Sequence, residues 1–112
     1  MYPLGYTNLV EIKQTDVYQR WFRRLKDVQA KARINIALQR CRLSDEVVGD
    51  TKPVGSGIFE LRIHVGPGYR VYYVTKGNKI MLLVVGGDKS TQQRDIDKAK
   101  DLVAEIIRED SW

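Results

Sequence analysis

The stretch GIFELRIHVGPGYRVYYVTKGNKIMLLVVGGDKST, residues 57–91, places the tightest constraint on the fold. Three runs of strand-forming residues are separated by GPG and KGN, turns short enough to fold each strand back beside the one before it. In the first run, residues 58–65, Phe59, Leu61, Ile63 and Val65 alternate with Glu60, Arg62 and His64, which gives one apolar and one polar face. A second strand is expected over 69–75, and Gly77-Asn78 makes a tight turn into a third. Ile80 to Val85 is apolar at every position, the pattern of a central strand covered on both faces.

The remaining segments have to cover that sheet. Residues 8–13, NLVEIK, alternate weakly and suit a short first strand. A helix then begins with Asp16 as its expected N-cap, and Gln19 stands three residues on at capping-box spacing. Tyr18, Trp21, Phe22 and Leu25 share its apolar face, with Arg20, Arg23, Arg24 and Lys26 elsewhere. After a break near Asp27, Ala30, Ile34, Ala37, Leu38 and Cys41 form the inner stripe of a second helix. Lys31, Arg33, Arg40 and Arg42 lie outside, so the helical hairpin has a basic outer surface. Residues 44–57, SDEVVGDTKPVGSG, carry Gly, Pro, Asp and Ser at loop density. Asp88 or Ser90 is placed to cap a last helix, which would bury Ile96, Ala99, Leu102, Val103, Ile106 and Ile107. The order β-α-α-β-β-β-α describes a single α+β domain over residues 1–112, its helices covering one face of a mostly antiparallel sheet.

Composition narrows the function. The chain carries 19 Lys+Arg against 14 Asp+Glu, a net charge of +5 that favours anionic partners, nucleic acid first. The single cysteine, Cys41, excludes an internal disulfide, and the single histidine, His64, argues against zinc. No apolar run reaches membrane-spanning length, and the opening MYPLGYTN has neither the basic start nor the apolar core of a secretory signal. A cytoplasmic protein without a membrane span, a cysteine-based metal cluster or a zinc site is expected.

The polar face of the strands carries the chemistry. Arg62 stands opposite Leu61 and Ile63, and Arg70 follows the GPG turn; an arginine fork so placed suits a phosphate. Asp88 and Lys89 emerge at the end of the central strand beside a helix N-terminus, which itself favours anions. Alternatively, Arg62 pairs with Glu60 or another carboxylate and only solvates the face. His64 shares the face and is the acid–base candidate by residue type, and of the pair Tyr72-Tyr73 one ring would be core and the other free to stack on a base. Neither GPG nor GGDKST has the spacing of a phosphate loop.

The strings KPVG, ELRIHVGPGYRVYY and GGDKSTQ…DI..AK, within residues 50–100, resemble the RelE/ParE toxin superfamily, and most of all its HigB-like, phage-related group of addiction module killer proteins. The resemblance implies the toxin of a type II toxin–antitoxin pair, a metal-independent endoribonuclease that cuts mRNA on the ribosome. It implies that Arg70 sits on the scissile phosphate, that Arg62 assists the transition state, that Asp88 and Lys89 are the C-terminal active-site residues, and that Lys52 grips RNA. Arg23, Arg24 and Arg33, on the basic hairpin, would seat on ribosomal RNA, and a helix-turn-helix, HigA-like antitoxin is the implied inhibitor. The stretch Lys89-Ser90-Thr91-Gln92-Gln93 departs from the family pattern, having neither the tyrosine nor the histidine found near the start of the last helix. His64, Asp88 or Lys89 would then move the proton. A ParE-like protein that binds DNA gyrase, or a relic that only binds antitoxin, are the alternatives.

Overall fold

The turns dictate the strand pairing. The structure, a computed structural model, describes residues 9–110 and 112. Its elements are β1 (Glu11–Gln14), α1 (Asp16–Arg24), α2 (Val28–Arg42), β2 (Thr51–Gly55), β3 (Ile58–Ile63), β4 (Tyr69–Lys76), β5 (Ile80–Asp88) and α3 (Gln92–Arg108), the last preceded by a 3₁₀ turn at Lys89–Thr91. They form one sheet in the order β1-β5-β4-β3-β2. β2 to β5 run antiparallel as a meander, and β1 lies parallel to β5. The expected α+β class is observed, with one strand more than the sequence pattern indicated. Asn8, where the expected first strand begins, and the opening MYPLGYTN lie outside the described residues.

The additional strand, β2, comes from the segment expected to be loop. Its Pro53 cannot donate to a ladder and is tolerated because β2 is an edge strand, with its register shifting between Pro53 and Gly55. α1 starts one residue away from expectation. Thr15, not Asp16, is the N-cap, its Oγ1 accepting a hydrogen bond from Tyr18 N at 3.0 Å. Asp27 ends the break between the helices and caps α2, accepting from Ala30 N at 3.0 Å.

Helices cover both faces of the sheet, not one. On the first face, α1 and α2 bury Tyr18, Ala30, Ile34, Leu38 and Cys41 against Leu61, Ile63, Tyr69, Val71, Tyr73, Met81 and Leu83. On the second, Ile96, Ala99 and Val103 of α3 pack on Ile58, Tyr72, Val74, Leu82 and Val84. Each large aliphatic side chain so buried contributes about 1.5–3 kcal/mol. Ile107, expected inside, is 65% exposed, and in that last turn it is Ile106 that packs on the cluster. β5 is buried on both sides, as its unbroken apolar run requires.

α3 covers only part of the second face. At the end where β3 and β4 meet the GPG turn, the polar face of the sheet stays open. Gly66 and Gly68 both hold positive φ, 55° and 83°, a conformation glycine adopts without strain. The turn is tied to α2 through Tyr69, whose hydroxyl donates to Asp27 Oδ2 at 3.3 Å.

Candidate functional site

The strand register brings the two arginines face to face. Arg62 of β3 is directly opposite Arg70 of β4, and Arg70 is in turn opposite Gly87 of β5. Like charges so paired repel. Each is relieved by its own carboxylate. Arg62 Nη2 donates to Asp50 Oδ1 at 2.8 Å, and Arg70 Nε lies 3.4 Å from Glu60 Oε2.

The two pairs differ in environment. Glu60 is 1% exposed and diagonal to Arg70 across the ladder; its Oε2 also accepts from Gln92 Nε2, at 3.2 Å, on the first turn of α3. The Arg70 side chain is 13% exposed, so this pair is largely withdrawn from water. Tyr72 lies directly opposite Glu60, fully buried, its hydroxyl without a hydrogen-bond partner among the described residues. Burial pushes that phenol well above its ordinary range; nearby Glu60 adds to the shift and Arg70 opposes it. Both rings of the Tyr72-Tyr73 pair are therefore core. Tyr72 has no open face for a base, because α3 occupies the side of the sheet expected to be free.

Asp50 sits in the partly exposed loop before β2 and bridges two residues. Besides Arg62 it meets His64 Nε2 at 2.5 Å. Its own backbone carbonyl accepts from Arg62 N at 2.9 Å, which pins the loop to β3. The Arg62 hydrogen bond first, and His64 second, hold the Asp50 carboxyl below the usual carboxylate range. An ionised carboxylate only accepts, so Nε2 carries the proton and His64 Nδ1 is the nitrogen left for other work. The His64 side chain is 72% exposed.

Four of the expected catalytic residues, Arg62, His64, Arg70 and Lys89, line one cavity of about 410 Å³ with the GPG turn as its rim. Lys89 N donates to Gly68 O at 2.9 Å, which fixes the end of β5 against the turn. A Cβ placed on Gly68 would lie 4.0 Å from Arg70 Nη1 and from Lys89 Cβ, so these two residues flank the same glycine. Lys89 has no ion-pair partner among the described residues. The fifth, Asp88, is turned away: its Oδ1 accepts from Ser90 N at 2.8 Å and Oγ at 2.5 Å as the cap of the 3₁₀ turn.

The expected RNA-gripping residues are dispersed. Arg33 lines a neighbouring cavity that shares Arg62 and His64, Arg24 lines a cleft at the end of β5, and Arg23 and Lys52 are exposed on α1 and β2. Among the described residues no three His, Cys, Asp or Glu side chains converge as a metal-ligand set. Cys41 is buried, its Sγ donating to Val48 O at 3.4 Å, and burial pushes the thiol up.

Glu60, Asp50 and Gln92 were missed as site residues. Alternation in 58–65 already puts Glu60 on the arginine face. Only the β3–β4 register assigns it to Arg70 instead of Arg62, and only the fold brings the loop residue Asp50 to Arg62.

The chain is similar to several known proteins. The family model for phage-derived Gp49-like proteins (DUF891) matches residues 20–104. An uncharacterized protein of Haemophilus influenzae is 44% identical over 97 residues, covering 87% of this chain and 96% of that protein. Among solved structures, an arginine-substituted form of the E. coli toxin RelE in the free state superposes with a TM-score of 0.59 at 9% identity, over 83% of this chain and 98% of RelE. The conserved hypothetical protein HP0894 of Helicobacter pylori matches at a TM-score of 0.43 and 14% identity, over 72% and 96% of the two chains. The likeness to RelE establishes the fold.

Proposed function

Since the chain belongs to the family of phage-derived Gp49-like proteins, we propose that it is the toxin of a toxin–antitoxin pair and inhibits translation by cutting mRNA on the ribosome. The observation that carries this reading is the convergence of Arg62, Arg70, Lys89 and His64 on one open cavity, in a chain with the fold of RelE.

The reaction is attack of an RNA 2′-oxygen on the adjacent phosphorus with cleavage of the bond to the 5′-oxygen, leaving a cyclic phosphate and a 5′-hydroxyl. Arg70, with its Nε 3.4 Å from the Glu60 carboxylate, offers its outer nitrogens to the phosphoryl oxygens. Lys89 adds a second positive charge where charge accumulates in the transition state. His64 Nδ1 takes the proton from the 2′-hydroxyl, and Asp50 steadies the imidazolium. The Lys89 ammonium is the donor within the same cavity for the departing 5′-oxygen. Arg62 is held by Asp50 and orients that carboxylate toward His64. Arg23 of α1 and Arg33 of α2 seat on ribosomal RNA, and a helix-turn-helix, HigA-like antitoxin silences the protein.

One feature favours a second reading, a protein that binds its antitoxin without cutting RNA: residues 89–93 hold neither tyrosine nor histidine. Induction of wild type and Arg70→Ala, with primer extension on a reporter message, separates the two. Wild type should arrest growth and create new 5′ ends inside translated codons, and Arg70→Ala should do neither. Arrest with intact message would reject cleavage.

A further inference from the structure

A second cavity, of about 350 Å³, opens between α1 and α3 over the end of β5. It has no part in the chemistry above. Its walls are Arg20 and Arg24 on α1 and Arg94 and Lys98 on α3, in each helix one turn apart. Its floor is Gly86 and Gly87, with the partly buried ring of Trp21 beside them.

Like charges at i, i+4 on a helix repel, and here two such pairs face each other across one cleft. Arg20, Arg24 and Lys98 have no ion-pair partner among the described residues. The two acids present are already occupied. Asp95 is 5% exposed, accepts from Thr91 Oγ1 at 2.5 Å and lies 3.9 Å from Arg94 Nε, while Asp88 caps the 3₁₀ turn. The cleft thus concentrates positive charge that the fold itself does not neutralise.

Glycine at 86 is what lets the indole lie at the floor, because a Cβ there would overlap the Trp21 ring atoms Cε3 and Cζ3. Basic walls around an aromatic ring are the device by which proteins hold single-stranded nucleic acid: phosphates on the cations, a base on the ring. The cleft also adjoins the first cavity along the chain, since Asp88 lines one and Lys89 the other. Continuity with the arginine cavity and the exposed part of an indole favour RNA over an acidic peptide, which would need the cations but not the ring.

We propose that the α1–α3 cleft binds the single strand flanking the cleaved bond, with phosphates on Arg20, Arg24 and Lys98 and one base against Trp21. This rests on the RNA-cutting reading for its substrate, but its test does not. The probe is a short single-stranded RNA carrying 2′-O-methyl groups, which cannot be cut, and binding is followed by fluorescence anisotropy across a salt series. Relative to wild type, the exposed double variant Arg20→Gln/Arg24→Gln should bind more weakly, and the slope of log K against log salt should fall by about 1.4, or 0.7 for each single-strand phosphate no longer neutralised. In a Trp112→Phe background Trp21 is the sole indole, and its emission should be quenched by the RNA. An unchanged affinity and slope in the double variant, no RNA binding by wild type at low salt, or unquenched Trp21 would each overturn the proposal. A wild type that binds through the cleft yet leaves translated message intact would uphold the cleft and sink the nuclease reading.

Discussion

Glu60 is the residue on which the candidate site most depends. Replacing it with glutamine keeps its volume and removes its charge, leaving Arg70 without a counter-ion in a position 13% exposed. Breaking one side of a buried ion pair costs about 3–5 kcal/mol when the stranded charge is fully enclosed. Here the amide oxygen can still accept from Gln92, and Arg70 reaches water at the cavity. The cost should therefore fall below that range, to about 2 kcal/mol. For a chain of 112 residues this lowers the melting temperature by roughly 8 °C. Thermal unfolding followed by circular dichroism measures it. The double variant Glu60→Leu/Arg70→Met removes both charges together and should recover to within about 1 kcal/mol of wild type, because apolar side chains of similar volume replace a buried pair with little loss. A Glu60→Gln protein that melts with the wild type, or a double variant less stable than Glu60→Gln, would refute the claim that Glu60 is held in place by compensating Arg70.

Two other outcomes follow from the Trp21 floor and the Asp50 bridge. Gly86→Ala forces a methyl group into the ring of Trp21, and overpacking of this kind should cost about 1–3 kcal/mol, read as a lower urea midpoint with unchanged slope. The Asp50 carboxyl, held down chiefly by Arg62, contributes stability that is fully present above the ordinary value of 3.8 and is lost as pH falls through its lower folded value. Carboxyl NMR titration should find Asp50 below 3.8 in the wild type and nearer to it in Arg62→Gln.

Much of this structure is legible in the sequence because two periods and a few turns dictate it. The alternation of residues 58–65 places Arg62 and Glu60 on one face, and the unbroken apolar run from Ile80 marks β5 as the buried central strand. The helix stripes through Ile34 and Ile96 point to the sheet as expected. What escaped was set by long-range register. β2 read as loop because its five residues, TKPVG, contain proline and glycine, and only pairing with β3 makes them a strand. Placing all helices on one face followed from the polar side of β3, yet β4 and β5 present Tyr72, Val74, Leu82 and Val84 to the other side, and α3 covers them. That same covering buries Tyr72 and leaves the cavity only at the GPG end. Asp88 reads both as a site residue and as a cap, and its Oδ1 is taken up by the bonds to Ser90.

In the proposed reading Arg70, Lys89 and His64 cut RNA on the ribosome. The most direct measurement is incubation of the purified protein with ribosomes carrying a defined message, followed by analysis of the product ends. The expected result is a cut within the message only when ribosomes are present, a 2′,3′-cyclic phosphate upstream, a 5′-hydroxyl downstream, and loss of all three with Arg70→Ala. Intact message under conditions in which the same preparation binds ribosomes would contradict it.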